Sequence, residues 1–582
     1  MKKFLILAAL ILFTANAEAA NRYARGVGGN WTDNATWSTT SGGAADTVAP
    51  TASDDVFLDA NSGQVTISAV SVGKSLTCTG YTGTLTQSST LTISGSVTLV
   101  AGMTFTYTTG TLSINATGTL TTGGLLLGNV STAGTGTLTL GDNLSFRATK
   151  TNTLSLGAST ADLALNGFTI AGNSAVNRIL IHAATLGSAR TITNTTGTFA
   201  NADFRDITFS AVADYSAITG LSGDCGGNTN ATFTTAATQT YTGGTDSWST
   251  AARWTSRVPL PQDNVVITGQ SGSYTITADM PRLGKSIDFS GALGTPTYTQ
   301  SVSVTLYGSM TFKSTMTVTW AQVHTLEGRG SFTWTSAGKS IGSATMAMFG
   351  GTITLQDALT STGTFTLSNG TIVDGGFACS FSVFSSTNTN TRAITRSGTW
   401  TITGTGTQYT HATATNLTLT DTGTILISDT GASSKTFAGG GLTYNNLSIS
   451  GGGAGAVILT GANTFNRIQV IGGTKSITLP GSTTTTLLSG DGLNNGTNLV
   501  TFTASAGSAT IAKSTGVLAW DYVSLTNIPA STSGNAKFYA GPTTHSTNGG
   551  GNTNWVFGYP VSLDKMYTII GDCRDSTDYC MG

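Results

Sequence analysis

The chain has 582 residues, of which 75 are Gly and only 9% are charged, with a formal net charge of −1 at pH 7. That balance excludes a basic nucleic-acid-binding surface, which needs clustered Lys and Arg, and 38% apolar content without excess charge excludes an unfolded chain. The glycines follow no three-residue period, which removes collagen.

Residues 1–19 read as a signal peptide: Lys2 and Lys3 precede an apolar run from Phe4 to Phe13, and Ala17-Glu18-Ala19 forms a small-residue cleavage site. The run is about half the length a membrane span needs, so cleavage before Ala20 and release to the cell surface or medium are expected. No integral membrane segment is expected after signal removal. Gly29-Asn30-Trp31, with Trp37 six residues after the first Trp, opens a first module over 20–237. Asp54 and Asp55 follow, then runs in strict alternation such as Leu91-Thr92-Ile93-Ser94 and Met103-Thr104-Phe105-Thr106-Tyr107. Alternation of apolar residues with Thr or Ser predicts half-buried strands, and Gly and Asn between runs supply turns.

A second module is expected over 238–560, because the opening and the ending recur. Asp246-Ser247-Trp248 with Trp254 repeats the Trp spacing, and Asp263 aligns with Asp54, leaving Asn264 opposite Asp55. Gly226-Gly227-Asn228-Thr229-Asn230 closes the first module as Gly550-Gly551-Asn552-Thr553-Asn554 closes the second. A charged tail, 561–582, follows.

Spacing selects the fold. Leu91 and Ile93 recur as Leu112 and Ile114, and Leu447 and Ile449 as Ile468 and Val470, both 21 residues on, with Asn445 and Asn466 in register. Stacked coils place like residues above one another and let Asn amides form ladders, which predicts an all-β parallel β-helix. Intervals of 26 from Leu112 to Leu138 and 30 from Leu417 to Leu447 read as longer coils. At about 20 residues per coil the expectation is on the order of 27 coils. Tandem antiparallel β-sandwiches are the alternative fold.

On these strands and intervals the chain resembles right-handed parallel β-helix proteins of the secreted adhesin and tailspike kind. The resemblance covers roughly 60–530 and implies a repeat scaffold, without catalytic residues to carry over. It points to a secreted, non-catalytic surface adhesin or structural filament component that binds surface polysaccharide or copies of itself, possible homo-oligomers included. A phage tail-fibre-like receptor-binding protein and a polysaccharide lyase or glycoside hydrolase are the alternatives.

Candidate site residues follow from their chemistry. Trp31, Trp37, Trp248 and Trp254 could stack on sugar rings or fill the core as caps. Asp54, Asp55 and Asp263 supply oxygens of the kind calcium takes, although no Asp-x-Asp-x-Asp loop surrounds them, and no other cofactor is indicated. Asp203, Arg205 and Asp206 are the densest charged group of the first module and could pair a base with a cation; the matching place downstream reads Ala519-Trp520-Asp521. Glu18 and Glu327 are the only glutamates, so a glycosidase carboxylate pair would have to be built from Asp. Asp572, Asp575 and Asp578 in the tail form no recognisable site. The four His, His182, His324, His411 and His545, share no interval. Runs such as Gly451-Gly452-Gly453 read as turns, not phosphate loops. The five Cys are too few for a disulfide framework; Cys573 and Cys580 could close a small loop, and Cys78, Cys225 and Cys379 read as small buried side chains.

Overall fold

A computed structural model describes residues 19–560 apart from 135, 158–161, 194, 195, 412, 451–453, 491 and 532. Residues 1–18 of the expected signal peptide, Gly451-Gly452-Gly453, and the tail with Asp572, Cys573, Asp575, Asp578 and Cys580 lie outside the described residues. The chain is all-β, a parallel β-solenoid of about 22 turns, whose helices among the described residues are two short 3₁₀ turns, Asn34–Thr36 and Ala251–Arg253. It divides into two compact units between Thr235 and Ala236.

In the first unit a coil consists of three strands that turn around the core. One coil runs through Val97–Thr98, Thr104–Tyr107 and Thr111–Ile114; the first and third pair with their equivalents above and below, and Thr104–Tyr107 pairs with Thr84–Gln87 and forms the edge of its sheet. Alternation sends every second side chain inward, so parallel register stacks like on like. Val56, Leu76, Val97 and Leu120 form one inward column. Leu91, Leu112, Val130, Leu154, Ile181 and Phe204 form another. All are buried, and each such side chain contributes about 1.5–3 kcal/mol over its exposed state. The second unit follows the same plan: Leu447 pairs with Ile468 and Ile449 with Val470.

Neighbouring strands pair in parallel except where Tyr23 and Ala24 meet Ser38 and Trp37 at the start and in an isolated Tyr241–Trp254 bridge. A sandwich of hairpins would show antiparallel ladders throughout, so that alternative fails. The 21-residue stacking is observed, but the longer intervals join different faces. Leu112 lies over Val130, 18 residues on, whereas Leu138 belongs to the face holding Gly118 and Leu163. Likewise Leu417 pairs with Arg392 and Leu447 with Ile425. True coils run from 17 residues, as from Ile192 to Phe209, to 29, as from Leu163 to Ile192, and to 36 in the opening coil from Gly29 to Val65, because loops sit at the corners; this lowers the count from the expected 27 to about 22. The Asn ladder does not form as expected either. Asn466 Nδ2 donates to Asn446 Oδ1 at 3.3 Å, while Asn445 Nδ2 turns to the carbonyls of Thr422 and Gly423.

Both units end on the same local geometry. Asn228 accepts from Ile207 N at 2.9 Å and donates to Phe204 O at 2.9 Å; Asn552 accepts from Ile528 N at 2.8 Å and donates to Leu525 O at 2.7 Å. The glycines before them stand at positive φ, 92° and 74° for Gly226 and Gly227, 93° and 71° for Gly550 and Gly551, where a Cβ is disfavoured. An Asn552→Ala substitution leaves the buried Ile528 N–H unpaired, while Leu525 O keeps its bond from Gly549 N at 2.8 Å, and is expected to cost about 1–3 kcal/mol. Faster amide exchange of Ile528 checks it.

Cys78, Cys225 and Cys379 are buried, and burial pushes the Cys78 thiol up to about 12, an inert state. Among the described residues no helix is long and apolar enough to cross a membrane.

Candidate functional site

The Trp pairs sit inside the opening coil of each unit. Trp31 and Trp37 are 1% and 0% exposed, Trp248 and Trp254 0% and 6%. Trp37 Nε1 donates to Trp31 O and Trp254 Nε1 to Trp248 O, both at 2.7 Å, with the rings packed edge to face at 5.1 and 4.8 Å. A 3₁₀ turn between the two Trp of each pair sets this spacing. Their indole faces are covered by the core and offer no platform to a sugar ring. They close the solenoid mouth, a strand edge that must otherwise be protected.

Asp54 and Asp263 fasten the incoming chain beside those pairs. Asp54 accepts from Ala20 N at 2.9 Å and Thr51 N at 2.8 Å; Asp263 accepts from Ala237 N at 2.7 Å, Leu260 N at 2.9 Å and Arg257 Nε at 3.0 Å. Burial pushes the Asp54 carboxyl up, but bonds from Thr51 and Ala20 and the charge of Arg22 outweigh it and hold the group below the usual range. Asp55 faces outward, bonded to Lys74 at 2.9 Å and Ser75 at 2.6 Å. Oxygens already occupied by N–H donors and cations have little left for calcium. Among the described residues no group of three His, Cys, Asp or Glu is placed to hold a metal.

Asp203, Arg205 and Asp206 are adjacent, yet their groups are spent on the fold. Asp203, 1% exposed, takes Arg178 Nε at 2.7 Å. Asp206, also 1% exposed, accepts from Gly187 N at 2.9 Å, and Arg205 Nη2 lies 3.0 Å from His182 Nδ1. The Asn228 and Asn552 bonds superpose Ile207 on Ile528, so the counterparts of the three are Ser524, Thr526 and Asn527, not the segment ending in Asp521. Asp206 and Asn527 share a φ of 57°. The position needs a residue that tolerates the left-handed region, and Asp and Asn both do.

Two groupings escaped sequence reasoning. On unit 2, Asp521 Oδ2 accepts from Tyr559 OH at 2.8 Å and lies 3.2 Å from His545 Nδ1, while Tyr522 stacks on the imidazole at 4.5 Å. Burial pushes the Asp521 carboxyl up, but bonds from Tyr522 N, Tyr559 and His545 leave it below the usual range. The carboxylate orients the ring, and among the described residues no third His, Cys, Asp or Glu joins the pair to hold a metal. On unit 1, a cleft of about 510 Å³ is lined by Tyr107, Thr108, Asn129, Arg147, Thr151 and Asn152, among others. The Tyr107 ring lies against Gly128, where a Cβ would come within 2.2 Å of it. Arg147 crosses Phe105 at 5.8 Å and donates to the carbonyls of Leu126 and Phe105; no carboxylate pairs with it among the described residues. Tyr107 and Arg147 stand 40 positions apart, and only the coil stacking joins them.

The site can therefore hold a polar ligand against an aromatic edge, an unneutralised cation, amides and hydroxyls, without a carboxylate to act as acid or base. Comparison with known proteins adds no relative: no family model matches the chain, nor does any curated protein or solved structure.

Proposed function

We propose that the protein is a secreted, non-catalytic surface adhesin that holds glycans in shallow clefts along its solenoid. The Tyr107–Arg147 cleft carries this reading, because it combines the groups that recognise sugars: a ring for C–H faces, hydroxyls and amides for sugar hydroxyls, and a guanidinium for acidic substituents. Further clefts open at Thr198, Phe199 and Asp214, about 510 Å³, and at Lys537, Tyr539 and Asn554, about 360 Å³. Several weak sites on one scaffold gain avidity from repetition.

Co-sedimentation with a panel of acidic and neutral polysaccharides tests it. The reading expects retention on an acidic polymer, weakening as salt screens Arg147, and an Arg147→Gln variant with reduced retention and an unchanged melting profile. Absence of retention on every polymer would overturn it.

A further inference from the structure

The outer face that follows each Trp pair has a regularity the clefts do not use. In unit 2 the strands Asp246–Ser247, Ser273–Ala278, Thr295–Gln300 and Thr317–Thr319 form a parallel sheet whose register never slips. Thr275, Thr297 and Thr317 stand in one outward column; Ser247, Thr277, Thr299 and Thr319 stand in the next. Between them Ile276 and Tyr298 point inward and are fully buried, which makes the floor rigid. Unit 1 repeats the arrangement on Val65–Ile67, Thr84–Gln87 and Thr104–Tyr107, where Thr66, Thr86 and Thr106 share one column and Thr84 and Thr104 the other. Unit 2 thus presents Thr-x-Thr steps on three successive coils and unit 1 on two, with Gln64-Val65-Thr66 on the coil before them.

Strand geometry sets the lattice, with hydroxyls about 4.8 Å apart across strands and about 6.7 Å apart along them. The side-chain hydroxyls of Thr275, Thr277, Thr297, Thr299, Thr317 and Thr319 make no hydrogen bond to protein among the described residues. Thr is stiff at χ1, so hydroxyl and methyl positions are set before anything binds, and little side-chain entropy is lost on contact. The columns carry no charge for an ionic partner and no exposed ring for stacking on sugars. They offer a two-dimensional repeat of hydroxyls alternating with methyls, a template on which a first water layer can take the same repeat. A surface that is itself a lattice of water can share that layer.

We propose that these two Thr faces bind ice through the water they order, a function separate from glycan capture in the clefts. The test freezes a solution of the purified full-length secreted chain slowly onto a seeded crystal and measures protein in the ice against protein left in the liquid, together with the thermal hysteresis of the solution. The expected result is enrichment in ice, reduced by Thr297→Lys on one face and by Thr86→Lys on the other, and reduced to the level of an inert control in the double variant. Thr297→Val, which removes the hydroxyl but keeps the shape, is expected to lose less than Thr297→Lys. Circular dichroism stays unchanged in all variants and retention on acidic polysaccharide does not fall, which separates failure of the Thr faces from failure of the clefts. Exclusion of the folded wild-type chain from ice, or undiminished enrichment of the double variant, overturns the proposal. So does binding to crystalline cellulose that the double variant loses while neither form enters ice, since the lattice recognised would then be sugar.

Discussion

An Arg396→Met substitution is expected to destabilise the second unit by about 3–5 kcal/mol, the cost of leaving a buried charge without its partner. Arg396 and Asp421 pair in register on successive coils, with side chains 0% and 1% exposed. Arg396 Nε donates to Asp421 Oδ1 at 3.0 Å, and the guanidinium lies 5.5 Å from the Trp400 ring. Asp421 also accepts from Gly423 N at 3.0 Å and Asn445 N at 2.8 Å. With Met at 396 the carboxylate keeps those two donors and loses its counter-charge. Adding Asp421→Asn keeps an acceptor and removes the charge, so the double variant is expected to recover part of the loss. Urea unfolding of the full chain checks both, and a single variant within 1 kcal/mol of wild type would contradict the argument.

Stability is also expected to fall steeply between pH 6.5 and 5, through two buried histidines. His324 is 0% exposed, stacks on Trp320 at 4.6 Å, and neither ring nitrogen has a hydrogen-bond partner; burial pushes it down to about 3. His411 is 0% exposed, with Nε2 2.8 Å from Tyr409 OH, and burial, reinforced by the charges of Arg392 and Arg396, also pushes it down to about 3. Below about pH 6.5 the unfolded chain takes up protons that the folded chain refuses, so stability is present above 6.5 and is lost as pH falls toward about 3. Each histidine contributes up to about 1.4 kcal/mol per pH unit, and at pH 5 the pair has withdrawn about 4 kcal/mol. His324→Leu is expected to halve the slope of stability against pH between 6.5 and 5. An unchanged slope in that variant would show that other groups set it.

Much of the scaffold was legible in the sequence because its physics is local and periodic. Alternation in Leu91-Thr92-Ile93 and the recurrence at Leu112 specify strand and stack together, as the observed register shows. The intervals ending at Leu138 and Leu447 misled because all three faces of a coil carry the same alternation. Sequence therefore does not separate the next face of one coil from the same face of the next. Sites were less legible. Asp203 and Asp206 look reactive as a string, but the distant Arg178 and Gly187 N consume their oxygens. Tyr107 with Arg147, and Asp521 with His545, are neighbours only because loops of unequal length bring them to one side. The Thr-x-Thr steps at 275, 297 and 317 are visible in the sequence, yet they do not stand out in a chain so rich in Thr until the register aligns them.

Release of new chain ends tests the proposal that this solenoid binds glycans without cleaving them. The purified protein is incubated with the acidic polysaccharide that retains it best, and bound protein and new reducing or unsaturated ends are measured in the same sample over time. Saturable retention is expected, with no ends above those of a protein-free control. Ends that accumulate in proportion to enzyme and time would contradict it, and would mean that a carboxylate or imidazole now assigned to the fold, first among them Asp203, Asp206 or His545, is reached by substrate.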